Sequence, residues 1–137
     1  MLARNGKVST FVVENTNSET LQPLIQKKVS QDCIIITDAY RAYNGLDKTH
    51  VHLSIKHTPN NYVTDHHFHT NNIEGFWSLL KRSILGIYHH VSPKHLHRYC
   101  AESAYRYNER KVKDIDRFKQ GFVNCNKTLP YRILIAK

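Results

Sequence analysis

The chain has 137 residues, 40% of them hydrophobic and 10% aromatic, enough for one domain that buries roughly two thirds of its unfolded surface. That composition excludes wholesale disorder, and no apolar run reaches the roughly 20 residues that span a bilayer. The net charge of +9 suits a polyanionic partner, most simply nucleic acid, although a basic solvated surface carries the same charge.

The first residues, Met1-Leu2-Ala3-Arg4-Asn5-Gly6-Lys7, lack the apolar core of a signal peptide, so a soluble cytosolic chain with no membrane partner is expected. Residues 7–13 are rich in β-branched and aromatic side chains and read as a strand. Thr16-Asn17-Ser18-Glu19 resembles a capping box that opens a helix over 17–28, with Leu21, Leu24, Ile25 and Val29 on its buried side. Pro23 fits that helix only in the first turn. Residues 33–37 form a short continuous apolar run, the pattern of a strand buried on both faces, with Asp38 at its end. A short helix over 39–43 is stopped by Asn44-Gly45. Val51, Leu53 and Ile55 alternate with polar residues and predict another strand, followed by a polar loop over 58–69.

Residues 71–86 give the clearest helix, with Ile73, Phe76, Trp77, Leu80, Ile84 and Ile87 repeating at helical spacing as one apolar stripe. Trp77 and Phe76 therefore read as core, and a base-stacking role is the less expected alternative. Ser92 as N-cap and Pro93 at the first position open a further helix to about residue 107, burying Leu96, Tyr99, Cys100, Ala104 and Tyr107. The tail predicts a short helix over 115–122 and a strand over 131–136. Strands alternating with helices point to an α/β sheet with helices packed on it. No linker or repeat divides the chain, so one domain is expected, with a core over 6–110 and an extension over 111–137. Cys33, Cys100 and Cys125 are odd in number and never in a CxxC pair. Neither a disulfide framework nor a thiolate zinc site is expected, and each cysteine reads as a small buried residue.

The charge is unevenly placed. Between His66 and Asn108 the acids are Glu74 and Glu102 alone, among Lys81, Arg82, Lys94, Arg98 and Arg106 and seven histidines. Asp38 stands where a strand leaves the sheet, an edge at which α/β proteins bind ligands. Glu74 stands in the first turn of the long helix, 35 residues, 39–73, beyond it. Two carboxylates meeting there suit Mg²⁺, a hard cation that prefers carboxylate oxygen, and paired cations drive phosphodiester displacement. Structural roles remain open for both acids. Asn71-Asn72-Ile73-Glu74 is itself a capping box with Asn71 as N-cap, and Asp38 is a fitting N-cap for Ala39-Tyr40-Arg41. The histidines His66, His67, His69, His89, His90, His95 and His97 lack cysteine partners and a recurring ligand spacing, so zinc is not expected.

Thr37-Asp38-Ala39-Tyr40, then the run from His69 through Asn71-Asn72-Ile73-Glu74-Gly75-Phe76-Trp77-Ser78 to Lys81-Arg82, resembles the DDE transposases of bacterial insertion sequences. Gly86-Ile87-Tyr88-His89-His90-Val91-Ser92-Pro93-Lys94-His95-Leu96 and Tyr105-Arg106-Tyr107-Asn108-Glu109-Arg110 resemble the ISXO-type group among them. The resemblance covers about residues 6–110. It implies an RNase H-like fold, a mixed sheet flanked by helices, with Mg²⁺- or Mn²⁺-dependent strand cleavage and strand transfer at transposon ends. It implies that Asp38 and Glu74 are the second and third catalytic, metal-binding acids. Lys81 matches a basic residue two helical turns after the glutamate. Residues i and i+7 share a helix face, which places Lys81 beside Glu74 with Ser78 between them. Asn71, His69, Ser78, Lys81, Arg82, Lys94, Arg98, Arg106 and Arg110 are the expected DNA contacts, Arg98, Arg106 and Arg110 being equally suited to solvating an exposed face.

No acid precedes Glu14, whereas the family carries its first aspartate on an earlier strand. A partial catalytic domain from a truncated or split reading frame is therefore expected, without the N-terminal strand or the usual DNA-recognition region. Double-stranded DNA is the expected partner and a homo-oligomer the expected assembly. A catalytically dead DNA-binding remnant and a metal-dependent nuclease are the alternatives.

Overall fold

The computed structural model describes residues 1–55, 69–123, 125 and 128–135. The expected loop over 58–69 lies outside these except for His69, and so do His66 and His67. The architecture is α/β. It comprises α1 (Ser18–Lys28), β1 (Ile34–Asp38), β2 (Val51–Ile55), α2 (Asn71–Ser83), α3 (Leu96–Asn108), α4 (Asp114–Val123) and α5 (Tyr131–Ile135), with single 3₁₀ turns at Arg41–Tyr43, Leu46–Lys48 and Pro93–His95.

The strand expected over 7–13 does not form. Leu2 and Val8 make an isolated antiparallel bridge around a turn in which Asn5 takes a positive φ of 57°. Beyond Ser9, which donates its N–H to Met1 O at 2.9 Å, residues 10–13 pair with no strand among the described residues. β-propensity reports fit to a pleated, half-buried surface, and without a neighbouring strand it yields no ladder. Phe11 stays exposed under the Lys28 ammonium, 5.5 Å from its ring centre.

In α1 the cap differs from the expected box. Asn17 is the N-cap and its side chain makes no capping bond. Instead Asn15 Oδ1 accepts the Asn17 N–H at 3.1 Å and the Thr20 hydroxyl at 2.7 Å, while Thr16 Oγ1 lies 3.1 Å from the Tyr40 hydroxyl. Pro23 sits in the second turn rather than the first, on the exposed side, where it removes one i→i−4 hydrogen bond of the helix. Ile25 is buried, and Leu21, Leu24 and Val29 are half-buried, as the periodicity predicts. Gln22 Nε2 donates to Ala42 O at 2.9 Å and to Asn44 O at 2.8 Å, fastening the following turn to the helix. Gly45 completes that turn at φ 99°, a left-handed conformation that glycine adopts without strain. Leu46 beyond it is fully buried, and buried His50 reaches Val29 O at 3.3 Å and Thr49 Oγ1 at 3.0 Å.

β1 and β2 run parallel, in register from Ile34 opposite Val51 to Asp38 opposite Ile55. Parallel pairing needs a crossover of about a dozen residues, which the two 3₁₀ turns supply. The strand over 33–37 is not buried on both faces as its composition predicts: Ile34 is 52% and its partner Val51 60% exposed. One parallel pair and one bridge, rather than a broad mixed sheet, are found among the described residues.

The helical core joins chain positions far apart. Phe76 (1% exposed), Val8 and Ala104 are buried together, with Leu2, Ile73 and Tyr107 packed around them. The Phe76 ring meets Tyr107 edge-on at 5.4 Å. Asn108 closes the arrangement, accepting the Val8 N–H at 2.7 Å and donating Nδ2 to Val8 O at 3.0 Å. α2 runs on into a π-helical turn, Ile84–Tyr88. The changed winding carries Ile87 off the apolar stripe, leaving it exposed, and Trp77 is also 42% exposed rather than core. Cys100 is buried, but Cys33 and Cys125 are exposed, against expectation. The segment at 131–135 is a helix and not a strand: Pro130 O accepts the N–H groups of Ile133 and Leu134, starting a turn, and no strand among the described residues pairs with it.

Candidate active site

Asp38 ends β1 with an exposed side chain. Its backbone oxygen accepts hydroxyl donors from Thr37 at 2.7 Å and Ser54 at 3.2 Å, which pins the strand tip. Its Oδ1 accepts the Tyr40 N–H at 3.2 Å, but the 3₁₀ turn that follows starts at Arg41 with Tyr40 as its N-cap, so Asp38 is not the helix cap that the alternative reading expects. Burial, seconded by the negative charge of Asp38, pushes the Tyr43 hydroxyl above its ordinary pKa.

Glu74 lies on the exposed face of α2. The N-cap is Thr70, one residue before the expected Asn71, and Thr70 O accepts the N–H groups of Ile73 and Glu74. The buried Thr70 hydroxyl donates to Glu74 Oε1 at 2.5 Å, which orients the carboxylate from below. The glutamate is thus four residues from its cap and tied to it by side chain rather than by the reciprocal box. Asn71, Glu74, Ser78 and Lys81 recur at spacings of three and four, which sets them on one side of a helix, and all four are exposed. His69 precedes the cap, and its Nδ1 is buried with no hydrogen bond among the described residues.

Asp38 belongs to the sheet pair and Glu74 to a helix packed on α3; the chain between them, 56–68, lies outside the described residues. Among the described residues no group of three or more His, Cys, Asp or Glu side chains is arranged to hold a metal ion. The donor chemistry of the pair nonetheless fits Mg²⁺ or Mn²⁺: two accessible carboxylates, each steadied by a neighbouring donor, offer hard oxygen ligands to a cation that keeps several waters.

The expected basic contacts divide. Lys81, Arg82 and Arg98 are exposed and in no ion pair among the described residues. Arg106 is bound to Glu102 at 2.9 Å. Arg110 lies over the Tyr107 ring at 4.0 Å and donates to Tyr107 O at 2.7 Å. Those bonds give Arg106 and Arg110 structural work on α3. Lys94 donates to Leu134 O at 3.2 Å, and with His95, Arg98 and Tyr99 it lines an open groove walled by Leu134 and Ile135. Glu102, the other acid of the basic stretch, also accepts the Tyr88 hydroxyl at 2.6 Å. That bond, and then Arg106, hold its carboxyl below the usual range, while Tyr88 is pushed up chiefly by the same bond. Sequence reasoning missed Asn108 as a structural residue. It stands inside a quoted motif, but its partner is 100 residues away.

The strand end with Asp38, the helix carrying Glu74 and Lys81, and α3 all lie in the region that matches a family of insertion-sequence transposase domains. The chain belongs to the family of ISXO2-like transposase domains, which matches residues 1–108. It is 35% identical over 108 residues to an uncharacterized transposase-like protein of Haemophilus influenzae, an alignment covering 78% of this chain and 85% of that protein. No solved structure matches the chain. No helix among the described residues is long and apolar enough to cross a membrane.

Proposed function

We propose that this domain acts on double-stranded DNA at insertion-sequence ends, in strand cleavage and strand transfer, and that Asp38 and Glu74 are ligands of the divalent cation that the chemistry requires. The observation carrying this reading is membership of a transposase family, with both acids lying inside the matched region. An RNase H-like ancestry accounts for a strand-end acid and a helix-start acid acting together. Two carboxylates plus a DNA phosphate are sufficient ligands for one Mg²⁺, which keeps its remaining waters. Bound there, the cation would polarise a phosphoryl oxygen and lower the pKa of a bound water.

The protein's own residues do the positioning. Thr70 holds Glu74 in one orientation, and the Thr37 and Ser54 hydroxyls hold the strand tip of Asp38. Lys81, one helical face along from Glu74, takes a backbone phosphate, with Arg82 and Arg98 adding to the basic field. The unpartnered Nδ1 of His69 supports a ligand group at the same end of α2. Asn71 and Ser78 supply neutral donors on that face.

The test is a cleavage assay on labelled end DNA with Mg²⁺ or Mn²⁺. End-specific nicking is expected, and Asp38→Asn and Glu74→Gln should each abolish it. Salt-sensitive binding without nicking would leave a DNA-binding remnant, and equal cutting of unrelated DNA would make the protein a nuclease.

A further inference from the structure

Trp77 is the chain's single tryptophan, and it is 42% exposed although the neighbouring Phe76 is 1% exposed. The two rings meet edge to face at 5.3 Å, so a ring locked in the core supports the indole from beneath. Trp77 follows Glu74 by three residues and precedes Lys81 by four, which places it along the flank of the same helix side. At 1.5 Å of rise per residue, Glu74 and Lys81 are separated by roughly 10 Å along the axis, with the indole between them. The indole thus lies exposed on the helix side that carries the Glu74 carboxylate and the Lys81 ammonium.

We infer that Trp77 is a stacking platform for an unpaired base of the DNA strand held along this face; the inference rests on the DNA-acting reading above and names a contact within it. Every base has a π-face, so stacking on an aromatic ring is tolerant of sequence and adds to phosphate contacts from lysine. Strand cleavage at a duplex end benefits from an unstacked nucleotide, and the energy of unstacking is least for a base already unpaired. A protein partner laid over the same face would have to desolvate both the Glu74 carboxylate and the Lys81 ammonium. A stacked base leaves Lys81 on a phosphate and leaves Glu74 the role proposed for it above.

The lone indole is its own reporter. The full chain is titrated with end DNA carrying unpaired terminal nucleotides and with the blunt duplex. Protein emission and the anisotropy of labelled DNA are followed together. The expected result is strong quenching of Trp77 emission by the unpaired form and little by the blunt form. Trp77→Ala should weaken binding of the unpaired form by roughly tenfold or more while leaving the blunt duplex within about twofold, and Trp77→Phe should retain most of the preference. DNA binding without an emission change overturns the stacking role alone. Absence of any DNA binding overturns the DNA-acting reading together with it. A blue shift that grows with protein concentration in the absence of DNA assigns the ring to a protein interface and also overturns the proposal.

Discussion

At the residue scale, Asn108 shows how a single amide joins the N-terminal segment to the end of α3. Its side chain matches both backbone groups of Val8, a residue buried at 3% exposure, as a neighbouring strand would. Buried backbone groups left unpaired are costly, so Asn108→Ala should destabilise the fold by about 2–3 kcal/mol, read from urea unfolding. A loss no greater than that of an exposed alanine substitution contradicts the clamp role. Nothing local in Tyr105-Arg106-Tyr107-Asn108 announces this bond. Its chemistry depends on a partner that only folding supplies. Asp38 was more legible, because a strand end followed by a turn already predicts the bond to the Tyr40 N–H.

At the scale of elements, α2 and α3 were legible through their period, and Phe76 and Leu80 of the expected stripe are buried. The stripe misled at Trp77 and Ile87, because burial depends on what packs opposite and on the π turn that rewinds the helix end. The segments over 7–13 and 131–135 misled for a related reason, since strand-like composition without a partner strand makes no sheet. The π turn is fastened to α3 by Tyr88, Glu102 and Arg106. Because the Glu102 carboxyl is held below its ordinary range, its contribution to stability is complete above the unfolded carboxylate pKa of about 4.3. It is lost as pH falls through the lower, folded value. Glu102→Gln should therefore lower stability at neutral pH and flatten its decline on acidification, as thermal melts between pH 3 and about 7 will show. An unchanged acid slope counts against the assignment.

At the scale of the whole molecule, charge and family agree. A chain of net charge +9 gathers exposed Lys81, Arg82 and Arg98 on helices that carry Glu74 as an exposed acid and Glu102 as an engaged one. Such a surface binds polyanions with a strong salt dependence. Asp38 ends a strand and Glu74 opens a helix, and we propose that the two acids serve one cation on DNA. The most direct measurement is the binding of Mn²⁺ to the full chain in the presence of end DNA, followed by the paramagnetic resonance signal of the free ion. A DNA-dependent Mn²⁺ site is expected, and Asp38→Asn and Glu74→Gln should each remove it. Undiminished Mn²⁺ binding in either variant contradicts the proposal.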